Sequence, residues 1–385
     1  MERLDWKKTV KLNILLLKIV GLWPTGDATY GNNLYKLYAV AAVLFQVSHI
    51  IFQIINLFRI LDDLEAATNL FFILIMEILA VIKIYFLIKN MRMLKQLMIT
   101  VNSDLFQPKC RRQRELIQSN LNHWTGIIST FRFTATAWLL SWCSFPILDK
   151  TYKEYRLPFL AWYPYDIRMS PYYELTYCFQ VIGITYLTMS NCNVDTLIAA
   201  INMFIGAQFD ILCDDLKNLH QGNENTSESV NETLKRCIHH HKEIIKFADY
   251  ANKFYNWLLF FEFFVGGISI GLSTFQLTLV VPFTSEFYSF LSYSSGISVE
   301  VFMYCWFGNE IEVKSGELPY AIFESDWASF SPQVKKNLIF FMLRIQQPLT
   351  ISALGLFNLS LETYMRILRT AWSYFALLRQ VNSAT

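Results

Sequence analysis

The chain has 385 residues, 54% hydrophobic and 17% charged, with a formal net charge of +2. Soluble domains carry about 25% charged residues, and the apolar residues here gather in long uncharged blocks, which excludes an ordinary soluble two-domain protein. A net charge so near zero supplies no field for nucleic acid; the partner that the composition implies is the lipid bilayer.

From the N-terminus, the run Ile14 to Trp23 is interrupted by Lys18 and has no small-residue cleavage site, so the first span is expected to act as the insertion signal. Leu37–Phe58, Leu175–Val194 and Phe263–Ser285 are uncharged blocks of 22, 20 and 23 residues. Each exceeds the ~18 residues that mark a membrane span. With four further runs that tolerate isolated charges, seven helices are expected at about 37–58, 67–88, 127–148, 172–195, 257–281, 286–307 and 349–378. The apolar pattern persists from Thr196 to Leu212, which predicts that the fourth helix continues past the bilayer. No internal repeat is visible. The fold class is all-α, a polytopic membrane protein.

Orientation follows from the connections. The N-terminal segment and the 2–3, 4–5 and 6–7 connections hold 23 Lys and Arg, and the opposite side holds 8. The N-terminus is therefore expected in the cytosol and the C-terminus outside. Two glycosylation sequons, at Asn225 and Asn231, pull the other way and are read as unmodified on the weight of the charge count. This topology inverts that of a G-protein-coupled receptor, and the Asp-Arg-Tyr and Asn-Pro-x-x-Tyr signatures of that class are missing.

Enzyme chemistry finds no support, since neither a nucleophile elbow nor a phosphate-binding glycine loop occurs. The seven cysteines are scattered and read as free thiols. His239, His240 and His241 point about 100° apart on a helix, cannot converge on one metal ion, and are expected on a solvated face. No cofactor or metal is implied. Among the charges within spans, Lys83 and Arg132 are expected to snorkel toward the cytosol, while Glu77, Glu262 and Glu300 face protein or water. In the last helix Glu362, Arg366 and Arg369 form one stripe at i, i+4 and i+7. A lipid-facing surface cannot hold that stripe; a water-filled passage, a subunit seam or a buried ion pair within the monomer can.

Large side chains crowd the outer halves of four spans: Phe71, Phe72 and Met76; Trp138 and Trp142; Tyr177 and Phe179; Tyr288, Phe290 and Tyr293. An apolar pocket with a few hydroxyl handles suits a small volatile ligand. Helix packing accounts for any one of these residues as simply. The loop from Asp149 to Pro171, with Trp162-Tyr163-Pro164-Tyr165, is placed to act as a lid.

Over its whole length the sequence resembles the insect odorant receptors. The resemblance rests on Gly21-Leu22-Trp23-Pro24 before the first span, then Gly308-Asn309-Glu310, Ser315, Tyr320, Trp327, Lys335-Lys336 and Gln347-Pro348. It is sharpest from Leu361-Glu362-Thr363-Tyr364 to Trp372-Ser373-Tyr374-Phe375-Ala376-Leu377-Leu378, where Trp372 departs from the family's usual Tyr. The 4–5 loop is too short for the family's co-receptor, so the resemblance is to a ligand-tuning member. It implies that the pocket lies among the second, third, fourth and sixth spans. It further implies a heterotetrameric cation channel formed with the co-receptor, in the plasma membrane of olfactory sensory neuron dendrites. The last helices would then line the pore, with Leu377, Gln380 and Val381 at the gate. On this reading residues 1–36 are a cytosolic segment, 37–307 the first six spans and the pocket, 308–347 a cytosolic anchor, 348–381 the pore helix and 382–385 an extracellular tail. The rivals are a homomeric gustatory-type channel and a secondary transporter, the latter lacking paired Gly- or Pro-interrupted spans.

Overall fold

The computed structural model describes residues 3–24, 33–220 and 227–384. The helices in chain order are α1 (Lys11–Ile19), α2 (Asn33–Arg59), α3 (Leu64–Lys89), α4 (Met91–Thr100), α5 (Arg111–Leu148), α6 (Tyr172–Lys217), α7 (Ser227–Leu279), α8 (Ser285–Gly316), α9 (Leu318–Phe323), α10 (Pro332–Ile345) and α11 (Leu361–Ala384). One hairpin, β1 (Ser352–Ala353) with β2 (Phe357–Asn358), interrupts them. The spans are α2, α3, α5, α6, α7, α8 and α11. By length and composition alone α2, α3, α6 and α7 are able to cross a membrane. The more polar α5, α8 and α11 are the other spans of the bundle.

At 1.5 Å per residue α6 and α7 run for about 69 and 80 Å, more than twice the ~30 Å hydrocarbon core. They and α5 and α8 overshoot at the end that carries the Lys- and Arg-rich connections, called inner here. There α6 is enclosed on all sides: Ala199, Ala200, Phe204, Ala207, Phe209 and Leu212 are completely buried, and the Trp6 ring meets Phe204 edge-on at 4.9 Å. The expected continuation of the fourth helix through Thr196–Leu212 is thus present as a solvent-free core helix. Its end is held by charge. Lys314 of α8 pairs with Asp210 at 2.8 Å, while Arg112 and Lys109 pair with Asp214 and Asp215.

Two glycines carry local geometry that no other residue allows. Gly21 ends α1 at φ 78°, the left-handed conformation that lets Leu22 N–H close onto the Leu17 carbonyl at 2.8 Å. Gly308 of α8 touches the backbone of Leu359, and a β-carbon there would lie 2.1 Å from Leu359 Cβ and 2.5 Å from its carbonyl oxygen.

Two expectations are corrected here. The last helix begins at Leu361, not 349, and runs through 382–384. Ile351 and Ala353 are buried in an extended strand that turns through Leu354 and Gly355, both at positive φ. The apolar run that reads as helix is a hairpin wedged against the α8 glycine. Of the three histidines only His239 is exposed as expected: His240 is buried, with Nε2 3.1 Å from the Gln208 side-chain oxygen, and His241 stacks edge-on against Phe341 at 5.5 Å. Burial pushes the His240 imidazole down to about 3. Asn231 packs in the same region, accepting from Asn337 of α10 at 3.0 Å; Asn225 lies outside the described residues.

Candidate ligand cavity and the last helix

A cavity of about 90 Å³ lies among α3, α5, α6 and α8. Its walls are Ile73, Met76, Ala80, Phe131, Trp138, Ile184, Leu187 and Ile297, with Tyr293 at the outer side and Glu77, Asn191 and Glu300 toward the inner side. Of the ten aromatic and sulfur side chains expected to form a pocket, Met76, Trp138 and Tyr293 line it. Phe72, Trp142 and Phe290 form the next layer outward: Phe72 lies 5.0 Å from the Tyr293 ring and Trp142 5.3 Å from Phe290. Tyr293 is fixed by its hydroxyl, which donates to the Phe72 carbonyl at 2.9 Å. Tyr177 and Phe179 belong to a separate cluster with Phe52 and Tyr163. Phe71 and Tyr288, 40% and 50% exposed, lie on the outside of the bundle. Helix phase decides these differences: Phe71 precedes Phe72 by one residue, about 100° of rotation.

Below the cavity four helices meet at a cluster of charge. Lys83 of α3 is 1% exposed. Its ammonium group lies 2.8 Å from Asp195 of α6 and 2.9 Å from Glu300 of α8, and also pairs with Glu262 of α7. Tyr304 donates to Asp195 at 2.6 Å and Asn191 to Glu300 at 3.2 Å. Lys83 therefore does not snorkel. Its helix phase aims it at three carboxylates, and hydrocarbon leaves an ammonium no better partner. Asp195, Glu262 and Glu300 place carboxylate oxygens within 4.8 Å of one another, a spacing suited to a metal ion, but the ammonium occupies their centre. Asp195, directly after the uncharged block Leu175–Val194, is the member the sequence reading passed over. The available signal was Lys83 itself, a cation in an apolar run that demands counter-charge. Arg132, the other cation expected to snorkel, donates to the Asn13 side-chain oxygen of α1 at 3.0 Å.

The 149–171 loop packs on the outer ends of α2, α5 and α6. Trp142 Nε1 donates to the Pro158 carbonyl at 2.9 Å, and Gln180 clamps the Phe159 backbone with two hydrogen bonds of 3.0 Å. Trp162 N–H donates to the Phe52 carbonyl, and Arg59 lies 4.3 Å over the Trp162 ring.

The last helix has two faces. Thr363, Ile367, Ala371 and Phe375, at i, i+4, i+8 and i+12, are buried. They pack on α7, whose Gly267 and Gly271 admit a close approach: a β-carbon on Gly271 would lie 2.9 Å from the Ala371 carbonyl oxygen. The opposite face presents Met365, Trp372 and Leu377, 49%, 65% and 59% exposed. Glu362 and Arg366 pair there at 2.8 Å with 81% and 62% of their side chains exposed, which rejects a buried pair. Gln380 is on the exposed side; the Val381 side chain lies outside the described residues.

A seven-span helical membrane protein with an apolar-walled cavity among its helices and a last helix exposed along one face is the class these features define. The family model of the seven-transmembrane odorant receptors matches residues 63–372, and the chain belongs to that family. It is 23% identical to odorant receptor Or1 of Anopheles gambiae, covering 98% of this chain and 97% of that one. It is 25% identical to odorant receptor 13a of Drosophila melanogaster, covering 95% and 94%. The fold is similar to that of the insect olfactory receptor OR5 from Machilis hrabei in complex with eugenol, with a TM-score of 0.84 at 17% identity over 98% of this chain and all of that one. The relatives are receptors, not enzymes.

Proposed function

We propose that this chain is the odorant-tuning subunit of a ligand-gated, nonselective cation channel, assembled with the family's co-receptor in the plasma membrane of olfactory sensory neuron dendrites. The observation that carries the reading is the uncovered face of α11. A spanning helix that exposes Glu362, Arg366, Trp372 and Leu377 together suits neither lipid nor bulk water, and suits a subunit seam beside an aqueous pore. The charge count supports a cytosolic N-terminus and an external C-terminus. The eugenol complex of the similar receptor supports a small-molecule ligand.

Mechanically, α8 lines the cavity with Tyr293 and Glu300 and touches α11 through Phe302 and Tyr364, whose rings are 5.6 Å apart. A ligand with higher affinity for one setting of α8 shifts α11 by that difference. Leu377, Gln380 and Val381 would gate by dewetting.

The test is current from the chain expressed with and without the co-receptor, across a panel of volatile compounds. Current only from the pair is expected, and Leu377→Ser should raise its ligand-independent component while Ala384→Ser does little. Current from the chain alone would make it a homomeric channel, and saturable flux without channel-sized current a transporter.

A further inference from the structure

Three voids follow one another from the outer face inward. A cleft of about 580 Å³ opens between the start of α3, the 149–171 loop and the α7–α8 turn. Next comes a slot of about 30 Å³ beneath the loop, and then the cavity of about 90 Å³. Neighbouring voids share walls: Asn69, Arg156, Leu160 and Glu286 border both cleft and slot, and Ile73 borders both slot and cavity. One stripe of α3 passes all three. Ala66 and Asn69 wall the cleft, Asn69 and Ile73 the slot, and Ile73, Met76 and Ala80 the cavity. Spacings of three and four residues keep these positions on one side of the helix over about 21 Å. On α5 the same order recurs, with Phe145 and Trp142 at the slot and Trp138, Ala135 and Phe131 at the cavity. Unrelated voids would not follow one face of two helices in the same sequence.

Two constrictions divide the row. At the mouth of the slot Arg156 of the loop pairs with Glu286 of α8 at 3.1 Å, with 42% and 26% of their side chains exposed. The same guanidinium lies 5.1 Å over the Phe145 ring. A pair so open to solvent is weak and breaks readily. Between slot and cavity stands Trp142, stacked on Phe159 at 6.0 Å and edge-on to Phe290 at 5.3 Å. Trp138, one turn further along α5 with its ring 6.3 Å away, is already a cavity wall. The slot has room for about one or two water molecules, so anything larger passes only when these side chains move.

We infer that the outer cleft is the entry port of the cavity. A small molecule arrives from the outer aqueous phase, passes beneath the 149–171 loop when Arg156 releases Glu286, and reaches the cavity when Trp142 turns aside. The inference rests on the cavity being the ligand site proposed above and adds the route to it. The rival route is sideways entry from the bilayer between helices. A residue on the route but outside the cavity acts on the barrier and not on the bound state, so it changes the rates of arrival and departure by one factor.

The experiment uses the full chain, co-expressed with the co-receptor on intact cells. Cys110→Ser and Cys178→Ser remove the exposed thiols, and Ala135→Cys places a thiol in the cavity wall. The probe is methyl methanethiosulfonate applied from outside, and the rate of labelling at position 135 is read by mass spectrometry. Cys305, completely buried elsewhere in α8, is the internal reference. Glu286→Gln should accelerate labelling at position 135 by up to about fivefold, and Trp142→Leu by about tenfold. Asn69→Trp, which fills the mouth of the slot, should slow it by about tenfold; a loosened fold cannot produce that slowing. Labelling of Cys305 should stay at the parental rate throughout. Rates indifferent to all three substitutions would mean entry from the bilayer, and acceleration matched at Cys305 would mean a loosened bundle; either result overturns the route. Labelling reads access whether or not the pair conducts, so the expected rates without any ligand-evoked current would sink the channel reading and leave the entry port standing.

Discussion

Two acid–base assemblies in this molecule have the same chemistry and opposite settings. Lys83, Asp195, Glu262 and Glu300 come from four helices and are closed off by the chain itself. Glu362 and Arg366 sit one turn apart on α11, open on the outside of the bundle. The first is internal structure: it ties α3, α6, α7 and α8 beneath the cavity, and removing one member strands the others in low dielectric. The second adds little to the fold of one chain. Its meaning lies in what covers it. A buried ion pair inside a membrane protein speaks for its own bundle, and an uncovered one speaks for a neighbour.

The comparison is broken most readily at Lys83. Lys83→Met should cost about 3–5 kcal/mol and abolish surface expression, because it leaves three carboxyl groups facing one another without a cation. Adding Glu262→Gln to it should restore part of the signal. Parental surface levels of the single variant would mean that water reaches the cluster.

Gly308→Ala comes next. Its β-carbon would meet Leu359 Cβ and the Leu359 carbonyl oxygen, with an expected loss of about 1–3 kcal/mol from overpacking. Trimming Leu359 to Ala should not rescue it, because alanine keeps the β-carbon and the backbone oxygen remains; rescue, read as the melting temperature of the double variant, would place the clash in the side-chain atoms beyond Cβ.

His240 sharpens the contrast between closed and open groups by pH. Burial holds its folded pKa near 3, below the ordinary 6.5. Its contribution to stability is complete above pH 6.5 and declines as pH falls toward 3, because only the unfolded chain takes up the proton there. At pH 5.5 the loss is about 1 kcal/mol. Thermal unfolding between pH 5 and 7.5 should show this decline, and His240→Gln should flatten it.

The smallest effect on the fold is expected at Arg366. Arg366→Ala should change the stability of the isolated chain by less than about 1 kcal/mol. It should nevertheless alter conductance or assembly of the co-expressed pair. A large drop in the melting temperature of the chain alone, with unchanged currents, would reverse the roles assigned to the two assemblies.

The span count, the overshoot of the fourth helix and the Glu362–Arg366 stripe are legible from residue order alone, because each depends on local periodicity and on the cost of charge in hydrocarbon. The amphipathic face of α11 is legible for the same reason. What residue order leaves open is how each helix is rotated against its neighbours. That rotation sends Lys83 to three carboxylates rather than to the membrane surface, and divides Phe71 from Phe72 and Tyr288 from Tyr293. It also draws His240 and His241 into the core. Nor does hydropathy distinguish a helix from a strand when both are buried, and so 349–360 folds as a hairpin. Its shape is decided by the contact of Leu359 with Gly308, 51 residues earlier in the chain, and a contact of that range exists only once the bundle has packed.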